Sequence, residues 1–401
     1  MANEIQLNNS ITSLKTEVTE GTAIAPSAVG DYFQAKDDSV EITGGPELLE
    51  RNIETSSLSM STPQVGMKSG AANFATELIG SGTEGAAPDY AVAVLSLLGT
   101  STTIASNNTS RGTSVNTQTK VAIETADIGD YAVGDMVVIK ESGEHRVHAI
   151  TVVDTTGSAE FITLSPGKSS GVFSDGVVVS KSINYKTSDT AASSYTFNRY
   201  AGDAVREQVA GCRTTSMSLD NFTTGQIGSL TFAAQGMSRV NTASSAAPNT
   251  PSFTTALPAV FLGAKLFNGA TEVLVNEISL SVEQPVAQLK ATGNSNGVSS
   301  QHLAQKRKVT GSFPLYTDST DVSEFTDHDA GTTFSIVMYA GVPSTTAGEL
   351  TFGSIIAFYM PTCIRTNVTR GSLDGIGTEV IEFQSTGGVN GTSSELTMSF
   401  I

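Results

Sequence analysis

The sequence predicts a mainly β protein, and three observations predict it. Runs rich in Val, Ile, Thr, Phe and Tyr recur along the chain, separated by Gly, Pro, Asn and Ser turn signals. Only 15% of the 401 residues are charged, while Ser, Thr, Gly and Ala abound. That composition suits sheets whose faces meet other protein. The third observation is a structural phrase that occurs twice with little catalytic equipment in either copy, which points to assembly.

The first copy occupies 51–99 and continues after an interruption. It reads as strand (RNIETSSLSM), polar loop (STPQVGMKSG), strand (AANFATELIG) and helix (PDYAVAVLSLLG). Strands follow in SSYTFNRYAG and REQVAGCRTTSMSLDNFTTGQIGSLTFAAQG. The second copy spans 276–387: NEISLSVEQP, a long polar loop, KRKVTGSFPLY, a short helix near DVSEFTDHDAG, then TTFSIVMYAG and IIAFYMPTCIRTNVTRGSLDGIGTEVIEFQSTG. The closing hairpins share a pattern, TGQIGSLTF against LDGIGTEVIEF, each with Ile-Gly at a turn before a β-rich run.

Taken in order, residues 1–40 are polar and weakly patterned. An extended arm that orders on a neighbour and a loose terminus fit them equally. Between 41 and 80, strand candidates flank a turn at Pro63 and Gly66. Weak alternation around Ile53 and Leu58 suits strands with a wet or partner-facing side. Ala86–Gly99 is the best helix, with Pro88 in its first turn, an apolar stripe through Tyr90, Val94, Leu95 and Leu98, and Gly99 as C-cap. The tract 101–119 is a Ser/Thr/Asn-rich linker. KVAIET, DMVVIK, HRVHAITVVD, EFITLSP and DGVVVS form a small inserted β-domain within 101–185, expected to point outward. The first copy is therefore split into 41–100 and 186–240. Residues 241–270 form a crossover, and 271–401 hold the second copy. Within it, 284–306 is too long for an ordinary loop and suggests a projecting hairpin.

Acidic residues number 39 against 22 basic ones, a formal charge of −17. Phosphate-gripping surfaces need clustered Lys and Arg, so a nucleic-acid grip is disfavoured. A surface that repels polyanions fits. The basic triplet Lys306, Arg307 and Lys308 reads as a solvated edge or ion-pair donor. Cys212 and Cys363 fall in strands, one per copy, and are expected as buried free thiols. MANEIQLNNS lacks a basic region followed by an apolar run, so no signal peptide is expected. No apolar run is long enough for a membrane span. Trp is absent, which leaves Phe and Tyr as interface anchors.

Chemistry finds little support. His145 and His148 lie three apart, on opposite faces of a strand, which disfavours a metal pair and suggests solvated histidines. His328 in DHDAG, with Asp318 and Asp321, lacks EF-hand spacing and reads as a solvated acidic helix end. No GxSxG, HExxH or P-loop occurs. No aromatic cleft frames the carboxylates Glu379 and Glu382, as a glycosidase would need. No enzyme, cofactor or metal is expected.

ELLERNIETSSLSM, ANFATELIGSGTEGAAPDYAVAVLSLLG, VNEISLSVEQPVAQLKATG, KRKVTGSFPLY, IIAFYMPTCIRTN and TEVIEFQSTGG resemble the major tail tube proteins of long-tailed, siphovirus-like bacteriophages. The resemblance covers most of the chain outside 101–185. It implies β-sandwich tube domains with flanking helices, whose sheets join into a barrel around a channel. Rings stack into a virion tail tube, assembled in the host cytoplasm, through which double-stranded DNA passes without specific binding. Implied partners are the chain itself, the tape measure protein, and the tail terminator and distal tail proteins, with no membrane. Two copies per chain imply rings of three chains; a single tube domain would imply six. An acidic lumen follows, with Glu54, Glu77, Glu379 and Glu382 as candidates. For contacts between rings the candidates are Pro63, Val65, Met67, Lys68, Gln288, Leu289, Lys290 and Leu303. The alternative is a secreted adhesin or pilus-like β-sandwich subunit, against which the missing signal peptide weighs. A β-type polysaccharide hydrolase is a third reading, disfavoured by the lack of Trp.

Overall fold

The computed structural model describes residues 10–54, 59–111, 116–141, 145–156, 160–190, 192–202, 205–220, 222–243, 245–316, 323–346, 349–373, 375–388 and 394–401. Strands take up 54% of it and helices 6%, so sheet faces build the core.

The two halves repeat one pairing order. In the first half, Glu41–Leu49 pairs with Gln64–Glu77, which pairs with Ser229–Gly236, which pairs with the second part of Val205–Asp220. In the second half, Ser279–Glu283 pairs with Lys308–Tyr316, then Ile376–Ser385, then the second part of Ile356–Leu373. All these pairs are antiparallel. The two longest strands also serve a second layer. Val205–Asp220 runs on between Tyr195–Ala201 and Ser238–Ala243; Ile356–Leu373 runs on between Thr333–Gly341 and Thr397–Phe400. Ser10–Thr16 with Tyr32–Phe33 completes the first second layer. Val260–Asn268 with Thr271–Val273 completes the other.

The irregularities repeat as well. The ladder slips between Thr214 and Ser216 in one half and between Arg365 and Asn367 in the other. It slips again between Tyr195 and Phe197, and between Phe334 and Ile336. Bulges re-aim a strand and mark where it leaves one sheet for another. Their coincidence aligns the halves residue by residue. Cys212 faces Tyr195 as Cys363 faces Phe334. Phe74 faces Phe232 as Phe313 faces Ile381.

Alternation explains the layers. Ile42, Ala72, Phe74, Leu230, Phe232, Met217 and Leu219 turn inward, as do Leu280, Val282, Val309, Phe313, Ile381 and Phe383. Phe74 is central, its ring 5.1 Å from Phe33, 5.3 Å from Phe197 and 5.1 Å from Phe232. The helix Ala91–Leu98 lies over this core. Gly99 ends it with φ +107° and an N–H donated to Leu95 O. The second helix, Ser323–Ala330, has no buried residue. It is held by Arg365, whose Nε lies 2.5 Å from Glu324 Oε2 and whose Nη2 lies 3.2 Å from Asp327 Oδ2.

The inserted β-domain is a nearly closed six-strand barrel. Its order is Asn108–Thr109, Val178–Val179, Met136–Lys140, Val147–Asp154, Glu160–Ser165 and Lys120–Ile123. A bridge between Ser110 and Ile123 brings the ends together. Val137, Ile139, Ile150 and Ile162 fill it. The alternate residues Met136, Val138, Val147 and Ala149 pack on Phe267, Val337, Tyr339 and Tyr359 of the second half. Its base strands Gly99–Ile104 and Ser182–Thr187 join the second half's sheet through Thr397–Phe400.

Several expectations need correction. RNIETSSLSM is not the hairpin's first strand. Residues 51–54 are irregular, 55–58 lie outside the described residues, and the strand is Glu41–Leu49. Gly44, Gly45 and Pro46 read as a turn in sequence. On an unpaired edge Pro forfeits no ladder bond. Gly44 has φ +103° and sits so close to Ser69 that a Cβ would come within 2.5 Å of its carbonyl oxygen. The loop 61–70 is strand from Gln64 onward. Ser10–Thr16, placed in an arm, is a sheet strand, and Val260–Asn268, placed in a crossover, is another. The helix begins at Ala91, not Ala86. His148 is fully buried, with Nδ1 2.7 Å from Pro166 O, and His145 Nε2 lies 2.8 Å from Glu349 Oε1, so neither is a solvated histidine.

Both cysteines are buried and free. Burial pushes the Cys363 thiol up to about 12 and raises the Cys212 thiol further. The thiolate is the nucleophile, so both stay protonated at neutral pH. A thiol reagent at pH 8 should therefore label neither cysteine in the native protein and both after denaturation. Truncation Phe74→Ala should cost roughly 3–5 kcal/mol in denaturant melts; Ile227→Ala, at an exposed hairpin tip, should change stability by less than about 0.5 kcal/mol.

Candidate functional site

The faces opposite the core form one continuous surface. Eight strands lie side by side: 41–49, 64–77, 229–236, 213–220, 279–283, 308–316, 376–385 and 363–373. The halves meet where Ser216, Met217, Ser218 and Leu219 pair with Glu283, Val282, Ser281 and Leu280.

Alternation fills the outward positions with small polar side chains. Ser216, Ser218, Thr231, Ser279, Ser281, Thr310, Ser312, Asn367 and Thr369 all face out. Ser279 and Ser312 hydrogen-bond to each other at 2.8 Å. Charge on this face is one-sided. Glu41, Glu77, Asp220, Glu283 and Glu382 lie on it with Lys308, while Arg213, outward opposite Gln235, is buried and held by Glu20. Thr231 Oγ1 donates to Asp220 Oδ2 at 2.6 Å, and Asn73 Nδ2 donates to Glu41 Oε2 at 3.4 Å. A groove of about 550 Å³ runs across the join, lined by Ser218, Asp220, Ser281, Lys308, Ser312 and Glu382. The carboxylates are spread singly; among the described residues no cluster suits a metal ion.

The expected bore-lining residues separate. Glu77 and Glu382 lie on the open face. Glu379 does not: its side chain is buried on the core side, 3.7 Å from Arg370 Nε. It shares a pocket with Arg365 and Glu324 of the helix side. Glu379 and Glu382 are three apart on a strand, so they occupy opposite faces. Glu54 is exposed in the irregular connection after Leu49, outside the sheet. Glu41, Asp220 and Glu283 were missed. The signal was available in the alternation against Ile42, Leu219 and Val282.

Three of the candidates for contacts between rings, Gln288, Lys68 and Met67, make contacts within the chain. Val286–Lys290 and Val298–Leu303 form a hairpin that does not project freely but lies on the first half. Gln288 Nε2 donates to Gly236 O at 3.0 Å, Lys68 N donates to Asn296 O at 3.0 Å, and Met67 packs beside Gly297. Leu289, Lys290, Pro63 and Val65 are exposed, and Leu303 is half-buried.

The outer limits of the surface are two unpaired edges. Glu41–Leu49 pairs only on the Gln64–Glu77 side, and residues 366–373 pair only with Ile376–Ser385, among the described residues. These edges correspond to the two strands that meet at the join between the halves. No protein-family model matches the chain, and no curated protein sequence matches it. Among the described residues no helix is long and apolar enough to cross a membrane.

A face with five carboxylates and one ammonium repels phosphate and offers no counterion release. Replacing Glu41, Glu283 and Glu382 together by Lys reverses its sign. In a fluorescence anisotropy titration with a DNA duplex at low salt, the unaltered protein should show no binding. The triple variant should bind, and should lose that binding as salt rises.

Proposed function

We propose that the chain is the repeating subunit of a phage-type tail tube, in which three chains close a ring and stacked rings form a conduit for DNA. One observation carries the reading. The halves of the chain are joined by a strand pairing whose two participants recur, unpaired, at the outer edges of the same sheet. An open edge is a template for another strand. A head-to-tail interface that repeats generates a ring when its rotation closes. The inner join therefore serves as a pattern for the outer one.

The pattern is specific to the residue. Ser216–Leu219 corresponds to Asn367–Arg370, through the shared bulge. Glu283–Leu280 corresponds to Gly45–Ile42, through the pairing with 308–312 and 69–73. Between chains, Asn367 then faces Gly45, Val368 faces Gly44, Thr369 faces Thr43 and Arg370 faces Ile42. Inner and outer joins become the same kind of contact, which supports two tube domains per chain.

Size supports three chains over six. Eight strands from each of three chains make twenty-four. At about 4.8 Å spacing and about 40° tilt they close at a backbone diameter of about 50 Å. Six such chains would close at about twice that diameter and hold a duplex loosely. The narrower bore holds one duplex with a layer of side chains and water around it. Its wall would be the small polar, acidic face, which gives DNA nothing to hold. The inserted barrel packs on the opposite side of the second half and so would decorate the outside.

Electron microscopy with native mass spectrometry tests the ring: three-chain particles and hollow tubes are expected. A lasting monomer, or a bore walled by Lys and Arg, would sink the proposal. The pair Thr43→Cys with Thr369→Cys tests the register. Under oxidation it should link chains into covalent trimers, while Ser218→Cys with Ser281→Cys closes within one chain. Rings without the intermolecular link would mean a different outer join.

A further inference from the structure

We infer that the described ends of the connection after Glu41–Leu49, residues 46–54 and 59–68, seat in a groove on the second half of the ring neighbour, beside the outer strand pairing. This rests on the ring reading above. The pattern is again internal. The connection 284–307 leaves the inner join and lies across the first half, touching Met67, Lys68, Gln235 and Gly236. By the shared ladder these four positions correspond in the second half to Lys306, Arg307, Gln384 and Ser385. All four line one groove of about 730 Å³. A groove thus opens in the second half where the first half is covered.

The occupant is the same element from another copy. Connections 46–68 and 284–307 differ in length by one residue, and both leave the strand that forms a join. The first exposes apolar side chains among the described residues: Leu48 is 61% exposed, Leu49 48% and Val65 64%. Exposed apolar surface of this kind marks contact sites. Glu47, Glu50 and Glu54 lie on the connection beside Arg51, and the groove lining holds Lys306 and Arg307 beside Asp189 and Glu395. Arg307 is 4% exposed; it holds Glu395 through Nη1 at 3.2 Å and Ser188 O through Nη2 at 2.6 Å. Its buried Nε has no acceptor among the described residues. An incoming carbonyl or carboxylate satisfies it. Lys306 and Arg307, which in sequence read as part of a solvated edge, line this socket, while Lys308 stays on the open face.

The test places a photo-crosslinking benzoylphenylalanine at Leu49 in assembled tubes and maps its adducts by mass spectrometry. Adducts are expected at 303–308 or 384–388 of a different chain. The double change Leu48→Ser with Leu49→Ser should raise the concentration for half-assembly about tenfold or more without altering the melt of the isolated chain. Lys306→Glu should raise it too, and less so at high salt. Rings whose adducts fall within the probe's own chain, or on another chain outside the groove, overturn this inference alone. Chains that never associate overturn it together with the ring.

Discussion

An unpaired strand edge governs this molecule. Each backbone group along such an edge must find a partner or face water. The chain satisfies one of these edges internally, by setting 279–283 against 216–219. It leaves the equivalent pair of edges at opposite ends of the sheet. In the proposed ring, the contact made once inside the chain would be made again between chains, as a heterologous contact. Closure of that ring would come from rotation. The two longest strands bulge at Thr215 and Thr366. The bulges bend these strands so that one part faces the core sandwich and the other part joins the continuous sheet.

The face chemistry follows from that arrangement. One side of the eight-strand sheet needs a core, and Phe74, Phe232, Phe313 and Phe383 supply it. The other side carries Ser, Thr and scattered carboxylates. The chain carries a net −17, and many of its basic residues are committed to ion pairs. Arg199 and Arg239 both hold Glu207, Arg213 holds Glu20, and Arg365 holds Glu324. The open face keeps Lys308 exposed.

The sequence made the inserted strands legible because each is a short apolar run with clear turns. The Ile-Gly hairpins and paired cysteines were legible because they repeat. Edge strands were not. Glu41–Leu49 contains Gly-Gly-Pro, which an edge tolerates and an interior strand does not. Ser10–Thr16 is polar because Ser13 bonds Asn198 within a buried network with Gln208, a pattern that looks like a solvated arm in isolation. Glu379 was misassigned for a related reason. Membership of a strand was readable, but which face it takes depends on the phase of alternation. The buried neighbours Ile381 and Phe383 set that phase.

The two halves share a fold but have different neighbours, and that difference argues for keeping them on one chain. In the second half, Thr397–Phe400 pairs outward with Ser182–Thr187, a strand of the insertion that interrupts the first half. The equivalent strand of the first half, Ser238–Ala243, pairs on one side only among the described residues. The outward second-layer face carries Phe267, Val337 and Tyr339 in one half, where the inserted barrel covers it, and Ser13, Asn198 and Tyr200 in the other. Identical subunits could not bear the barrel on alternate positions. In the proposed ring, covalent linkage would fix the alternation and make every second join intramolecular. The effective concentration of that join would be set by the tether instead of by the amount of protein in solution. Closure of such a ring would need three encounters in place of six.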